Sequence, residues 1–246
     1  MKKRMMIISG IGILLLSAVM VYWFYFSKPD GFLTNKQLLE EINHVFPEVA
    51  ADVIQDIIYV DERHKIVPFV TEDNRYGLSY WSWKNHQWKA VYIDNAGEPK
   101  VWRVNPKIPS TYMIVWNIHP DDAVSDMKFY LKKDRNYLIR DGIETYYPGI
   151  LLKKTLSLDG KSYGVLRMPA EWSSVIDSFD EINKAKQPNF FQDVFPVRDL
   201  FFGWTPYKSS GEEAAIKATA NGNSFHSGEE IIDFIMYVNE SDLKSE

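Results

Sequence analysis

The sequence predicts an α+β chain: an N-terminal transmembrane helix followed by a mostly antiparallel-sheet extracytoplasmic domain with a few helices. Three observations carry this. Residues Met5 to Phe26 form one unbroken apolar run behind Lys2, Lys3 and Arg4. From about residue 65 to 168 the pattern is that of strands, with turn signals at intervals of roughly 8–12 residues. Two other stretches, 34–46 and 169–184, repeat apolar residues at helical spacing.

The apolar run is 22 residues long and carries no charge. At about 1.5 Å per residue it makes a helix of roughly 33 Å, enough for a hydrocarbon core of about 30 Å. Tyr22, Trp23 and Tyr25 gather at its far end, where amphipathic rings favour the headgroup level. The cations ahead of the run place the N-terminus in the cytoplasm and residues 27–246 outside it. A cleaved signal peptide needs a shorter run that ends in a small-x-small site. Here Tyr22-Trp23-Phe24-Tyr25-Phe26 occupies that end, and with no cysteine a lipoprotein signal is impossible. The expected division is a cytoplasmic 1–4, an uncleaved anchor 5–26, a linker 27–33 and a single domain 34–246.

Composition bounds what the exported part can do. The chain has 28 Lys and Arg against 33 Asp and Glu; with Lys2, Lys3 and Arg4 set aside, 25 stand against 33, so the exported part carries −8. An acidic domain does not favour nucleic acid or anionic lipid surfaces. The absence of cysteine removes disulfides, thiolate zinc sites and thiol catalysis together. Stability must then come from the core, for which about 220 residues suffice.

The elements follow in order. Thr34 and Gln37 make a T-x-x-Q capping box, and Leu38, Leu39, Ile42 and Val45 continue at helical spacing. Val49, Ala50, Val53, Ile54 and Ile57 predict a second short helix near 48–58. Strands are expected at 66–72, 76–84, 87–94, 100–105, 111–118, 126–133 and 137–146, with Asn85-His86 and Asn95-Ala96-Gly97 as hairpin turns. Asp159-Gly160 predicts a hairpin between Leu151–Leu158 and Lys161–Met168, with Lys154 opposite Val165. Pro169 opens a helix whose apolar face is Trp172, Val175, Ile176, Phe179 and Ile182. Leu200–Tyr207 and Ile231–Val238 read as late strands, and 208–228 as a loop with a short helix at 212–219.

Aromatic residues crowd the first hairpin. With Asn85-His86 as a two-residue turn, Trp83 pairs with Trp88, Trp81 with Ala90 and Ser79 with Tyr92 on one face. Lys84–Gln87, Ser82–Lys89, Tyr80–Val91 and Leu78–Ile93 form the other. Trp81, Trp83 and Trp88 then either pack inward, for example under the Trp172 helix, or form an exposed platform for binding sugar.

Among polar residues, His119, Asp121 and Asp122 follow a strand with two apolar faces, and a buried strand ending in this way suits acid/base chemistry or a metal. The competing reading is a capped turn. Glu144, beyond Arg140-Asp141-Gly142, is a further acid/base candidate. Asp61-Glu62-Arg63-His64 reads as a solvated turn, and His226 has no orienting neighbour in sequence. The five histidines show no ligand spacing, so neither a metal nor a cofactor is expected. G-x-S-x-G, H-E-x-x-H, a P-loop and the dinucleotide glycine pattern are all missing.

The layout of short basic start, single span and Lys-rich, Cys-free exported part resembles that of anchored envelope proteins of low-GC Gram-positive bacteria. The resemblance covers the anchor and the composition and carries over no functional residue. The sequence therefore leads to a cell-membrane protein with its domain outside, most readily a non-catalytic module that binds wall glycan or another envelope protein. The alternative is a glycosidase-like envelope hydrolase using paired carboxylates from Asp121, Asp122 or Glu144, which leaves no linear motif.

Overall fold

The computed structural model describes residues 2–26, 29, 31–140, 143–185 and 200–243. Helix α1 runs Lys2–Phe26 and helix α2 Asn35–Val45. Both halves of the Thr34–Gln37 capping box are formed. Among the described residues four sheets follow, three large ones and a two-stranded arm, antiparallel throughout except at one short parallel contact. Sheet I has the order β1 (Ala51–Ile54), β3 (His64–Thr71), β4 (Tyr76–Lys84), β5 (Gln87–Asp94), β14 (Ser224–His226), with β2 (Ile58–Asp61) also on β3. Sheet II is β12 (Tyr163–Arg167), β7 (Met113–Asn117), β6 (Lys100–Trp102) and β15 (Ile232–Phe234). Sheet III is β11 (Ile150–Ser157), β8 (Asp126–Lys133), β13 (Phe201–Tyr207) and β16 (Met236–Tyr237). Helix α3 (Ala170–Ala185) and a last turn, α4 (Glu240–Leu243), complete the chain.

The alternation of side chains along each strand stacks these pieces. Val67, Phe69, Trp81, Trp83 and Trp88 turn to one side of sheet I, where Leu38 and Ile42 of α2 cover them. Ile66, Leu78 and Tyr80 turn to the other and meet Trp102, Met113 and Val115 of sheet II. The opposite face of sheet II, with Val101, Ile114 and Trp116, packs on Met127, Phe129, Leu131 and Trp204 of sheet III. Trp172 and Ile176 of α3 close that core. Sheet II is thus buried on both faces, which is why Met113–Asn117 lacks a polar alternation.

Several expectations need correction. The stretch 48–58 is not a helix: a 3-10 turn at Pro47–Val49 and a left-handed Ala50 (φ 45°) lead into β1 and then β2. A short β-branched run satisfies either period, and sheet pairing decided it. The Asn85-His86 turn is formed, with φ of 51° and 60°, and Trp83–Trp88 and Trp81–Ala90 pair as expected. Beyond them a bulge leaves Val91 unopposed, so Tyr80 faces Tyr92, Ser79 faces Ile93 and Leu78 faces Asp94. The bulge shifts the phase of β5: Val91 and Tyr92 both serve the sheet I–sheet II core, while Ile93 joins the tryptophans.

Asp159-Gly160 is a turn with φ of 48° and 78°, yet no hairpin forms around it. Lys154 pairs with Phe129 and Val165 with Val115, so the turn carries the chain from sheet III to sheet II. Asn95-Ala96-Gly97 likewise joins sheet I to sheet II rather than two neighbouring strands. The single strand expected at 137–146 is two, β9 (Asn136–Arg140) and β10 (Ile143–Tyr147), which pair with each other. The late strand Ile231–Val238 divides between sheets II and III, with Ile235 buried between the halves. Residues 212–219 are not helical; Glu213 makes an isolated bridge to Tyr207.

Among the described residues no helix is long and apolar enough to cross a membrane. The side chains of α1 are described over residues 10–23, about 21 Å of helix at about 1.5 Å per residue.

Candidate functional site

The His119–Asp122 group lies where β7 leaves sheet II. Pro120–Asp122 forms one 3-10 turn, and the His119 ring caps it: Nδ1 accepts from the Asp121 N–H at 3.1 Å. That bond assigns the ring proton to Nε2, which donates to the Asn74 carbonyl at 2.9 Å. The His119 N–H donates to the Thr219 hydroxyl at 2.8 Å. Asp122 is buried, and its carboxylate accepts the N–H groups of Lys217, Ala218 and Thr219, each at 2.9 Å, together with the Thr219 hydroxyl. Burial pushes its carboxyl up, but the hydroxyl and the three amides together outweigh burial and leave its pKa below the ordinary value. Asp121 points into solvent, its side chain 80% exposed. His119 and Asp122 therefore pin the 217–219 segment and the Asn74 turn to β7, and their polar atoms are taken up by that task.

Glu144 is far from this group in the topology, on β10, which pairs with β9 alone. Strand pairing therefore does not set Glu144 beside Asp121 or Asp122. Among the described residues no group of His, Cys, Asp and Glu could hold a metal ion.

Trp81, Trp83 and Trp88 are 0, 6 and 8% exposed. They pack inward as one of the two readings had it, beneath α2 rather than the Trp172 helix. Phe32 stands edge-on to Trp81 and Trp88, at 5.8 and 4.8 Å between ring centroids. The Trp81 indole N–H donates to Ser79 Oγ at 2.8 Å. Buried rings have no open face on which a sugar could stack.

Of two further polar clusters, the Lys100–Asp94 pair carries no signal in the sequence, while the Asp61–His64 run reads there as a turn. Lys100 and Asp94 form a buried ion pair of 2.6 Å at the corner from sheet I to sheet II. Asp94 also accepts from the Tyr92 hydroxyl and the Ala96 N–H, and Lys100 Nζ donates to the Ala96 carbonyl, so the pair is closed within the fold. In the Asp61–His64 run, Nδ1 of His64 lies 2.9 Å from both carboxylate oxygens of Asp61, and the His64 ring stands edge-on to Trp102 at 5.2 Å. Burial pushes the Asp61 carboxyl up; the hydrogen bonds from His64 and the Arg63 N–H bring it below its ordinary value. This run is a folded turn with an oriented histidine.

An exposed aromatic face does exist, on the β9–β10 arm. The arm prolongs the β8–β11 pair, whose register ends at Lys133 opposite Ile150. Tyr137 lies opposite Tyr146, and Ile139 opposite Glu144; partners directly opposite share a face, with Cβ atoms about 4.5–5.5 Å apart. Tyr137, Ile139 and Tyr146 are 54, 61 and 62% exposed, and none belongs to a core. The Tyr137 phenol is raised above its ordinary pKa, first by its hydrogen bond to the Glu144 carboxylate. Glu144, a candidate acid/base in the sequence, is here a carboxylate on the same face as the two open phenols, one rung from the Tyr137–Tyr146 pair and hydrogen-bonded to Tyr137. The signal for the arm was Asp141-Gly142, a hairpin dipeptide in the middle of an apparent single strand; both residues lie outside those described.

Compared with protein-family models, curated proteins and solved structures, the chain matches none.

Proposed function

We propose that the protein is a membrane-anchored, extracytoplasmic binding module that holds wall glycan on the exposed face of its β9–β10 arm. The observation that carries this is the Tyr137–Glu144–Tyr146 face. A sugar ring offers an apolar C–H face and a rim of hydroxyls. Phenol rings supply a flat, electron-rich surface to the first, and a carboxylate accepts from the second. A two-stranded hairpin is marginally stable in water, so an arm bearing large apolar side chains gains from a ligand laid against it.

The anchor is Met5–Phe26, whose uncharged length and aromatic end suit a single span with the basic N-terminus inside. A reading as a carboxylate hydrolase has less support. Asp122 is committed to four donors, and strand pairing does not set Glu144 beside the His119 turn.

Two experiments test this. The full chain in detergent should sediment with purified cell-wall sacculi, and a Tyr137→Ala/Tyr146→Ala variant should stay in the supernatant while its melting temperature hardly changes. Equal retention of parent and variant would sink the arm as the binding face. Protease added to intact protoplasts should degrade residues beyond the anchor; protection until lysis would overturn the topology.

A further inference from the structure

One ring contact joins the end of α1 to the β4–β5 hairpin, and the chain beyond α1 packs beneath the same hairpin. The Trp23 ring lies 5.3 Å from the His86 ring at the hairpin turn, and His86 in turn stands edge-on to Trp83 at 6.4 Å. Past the helix, Phe32 and Leu33 pack on the tryptophan core beneath α2. Phe32 is six residues beyond Phe26, so at full extension roughly 20 Å of chain separates them. The segment after the anchor is therefore held against the domain at Phe32 and Leu33.

We propose that the β4–β5 turn is the docking point of this domain on the bilayer, resting at headgroup level beside its own anchor. The inference depends on Met5–Phe26 spanning the membrane as proposed above. An indole at the end of a spanning helix settles in the headgroup layer. His86, in ring contact with Trp23, then lies in or against that layer. Asn85, Gln87 and Lys89 around it are exposed and polar, as a surface immersed among headgroups must be. The contact does not depend on lipid charge. Lys84 is matched by Glu229 and Glu230 at 3.0 and 2.8 Å, which leaves this end of the hairpin without an excess of cations. The partner is a lipid surface, zwitterionic lipid included. From the turn, β4 leads away over nine residues, roughly 30 Å at about 3.3 Å per residue. That places the exposed Glu72, at the next turn, well above the bilayer.

The chain has no cysteine, so Gln87→Cys and Glu72→Cys each give one labelling site. Each full-length variant, carrying an environment-sensitive fluorophore, is reconstituted into phosphatidylcholine vesicles containing a lipid with a spin label near its headgroup. Flotation of the vesicles reports the anchor separately. With flotation intact, quenching of the Gln87 label several-fold above that of the Glu72 label is the expected result. Floating protein with equal quenching at both sites, or with none, overturns the docking and leaves the anchor standing. Failure to float removes the anchor and the docking together. A Trp23→Ala/Phe32→Ala change should bring the Gln87 signal down toward that of Glu72; full quenching retained in that variant would also overturn the proposal.

Discussion

Replacing Trp81 with alanine tests the packing of sheet I under α2. The indole is fully buried, edge-on to Phe32 and bonded to Ser79 Oγ. A buried indole removes about 200 Å² from water, which at about 25 cal/mol per Å² is about 5 kcal/mol. Collapse of α2 and Phe32 into the space returns part of this, so a loss of about 3–5 kcal/mol is expected. Ser79 Oγ still donates to the Val67 carbonyl, so no orphaned hydroxyl adds to the cost. Against a typical stability of roughly 5–15 kcal/mol this is a large fraction. Urea unfolding of the full chain in detergent, followed by far-ultraviolet circular dichroism, should show the midpoint fall on the order of 1–2 M. Tyr137→Ala, on the exposed arm, should barely move it. A Trp81→Ala midpoint within about 0.5 M of the parent would mean that the ring carries little of the core, and the stacking of α2 on sheet I would have to be abandoned.

Asp122→Asn should cost about 1–3 kcal/mol near neutral pH, because an amide nitrogen cannot accept from the donors that converge there. The folded carboxyl sits below the unfolded value of 3.8, so its contribution is present above that pH and lost as pH falls below it through the folded value. Acid titration of thermal stability should therefore show a steeper fall below pH 3.8 in the parent than in the variant; parallel curves would refute the assignment. Gly97→Ala should leave little folded protein. A Cβ there would stand 1.7 Å from the Asn117 carbonyl oxygen, a backbone atom that already accepts no compromise because the Asn117 N–H is bonded to the Gly97 carbonyl at 2.8 Å. Normal expression and melting of that variant would show that sheets I and II do not meet as described.

Sequence signals and structure agree where the physics is local. The Thr34–Gln37 capping box, the Asn85-His86 turn, the tip register of Trp83 and Trp88, and the Pro169 helix each depend on a few neighbouring residues. Pairing between distant strands was not legible. Asp159-Gly160 adopts the backbone that a tight hairpin needs, yet its flanking strands find better partners in β7 and β8. A turn dipeptide fixes the direction of the chain, and which strand it lies beside is decided by the cores on either face. The bulge at Val91 belongs to the same class: it lets Tyr92 reach Asp94 while Ile93 turns to the tryptophans, a demand set by two separate layers.

A related limit left two readings open in the sequence, core or platform for the tryptophans and site or capped turn for His119–Asp122; burial and hydrogen bonding support the core and the turn. Residue type marks Trp81, Trp83 and Trp88 as the richest aromatic cluster, but a large ring serves a core and a binding face equally well. What separates the two is whether anything covers it, and α2 does so here from forty residues upstream, through Leu38 and Ile42. His119 and Asp122 looked like chemistry because a polar pair at the end of a buried strand is costly unless bonded. Their partners, Asn74 and Thr219, lie 45 and 97 residues away in sequence, so only the fold reveals that the cost is already met. The arm shows the converse. Tyr137, Ile139 and Tyr146 carry the alternation of an ordinary strand, and among the described residues β9 and β10 pair only with each other, which leaves these side chains exposed. Exposure separates the two aromatic clusters, which is why the proposal is best tested by comparing the Tyr137/Tyr146 variant with Trp81→Ala. One should lose binding and keep its stability, and the other should lose stability first.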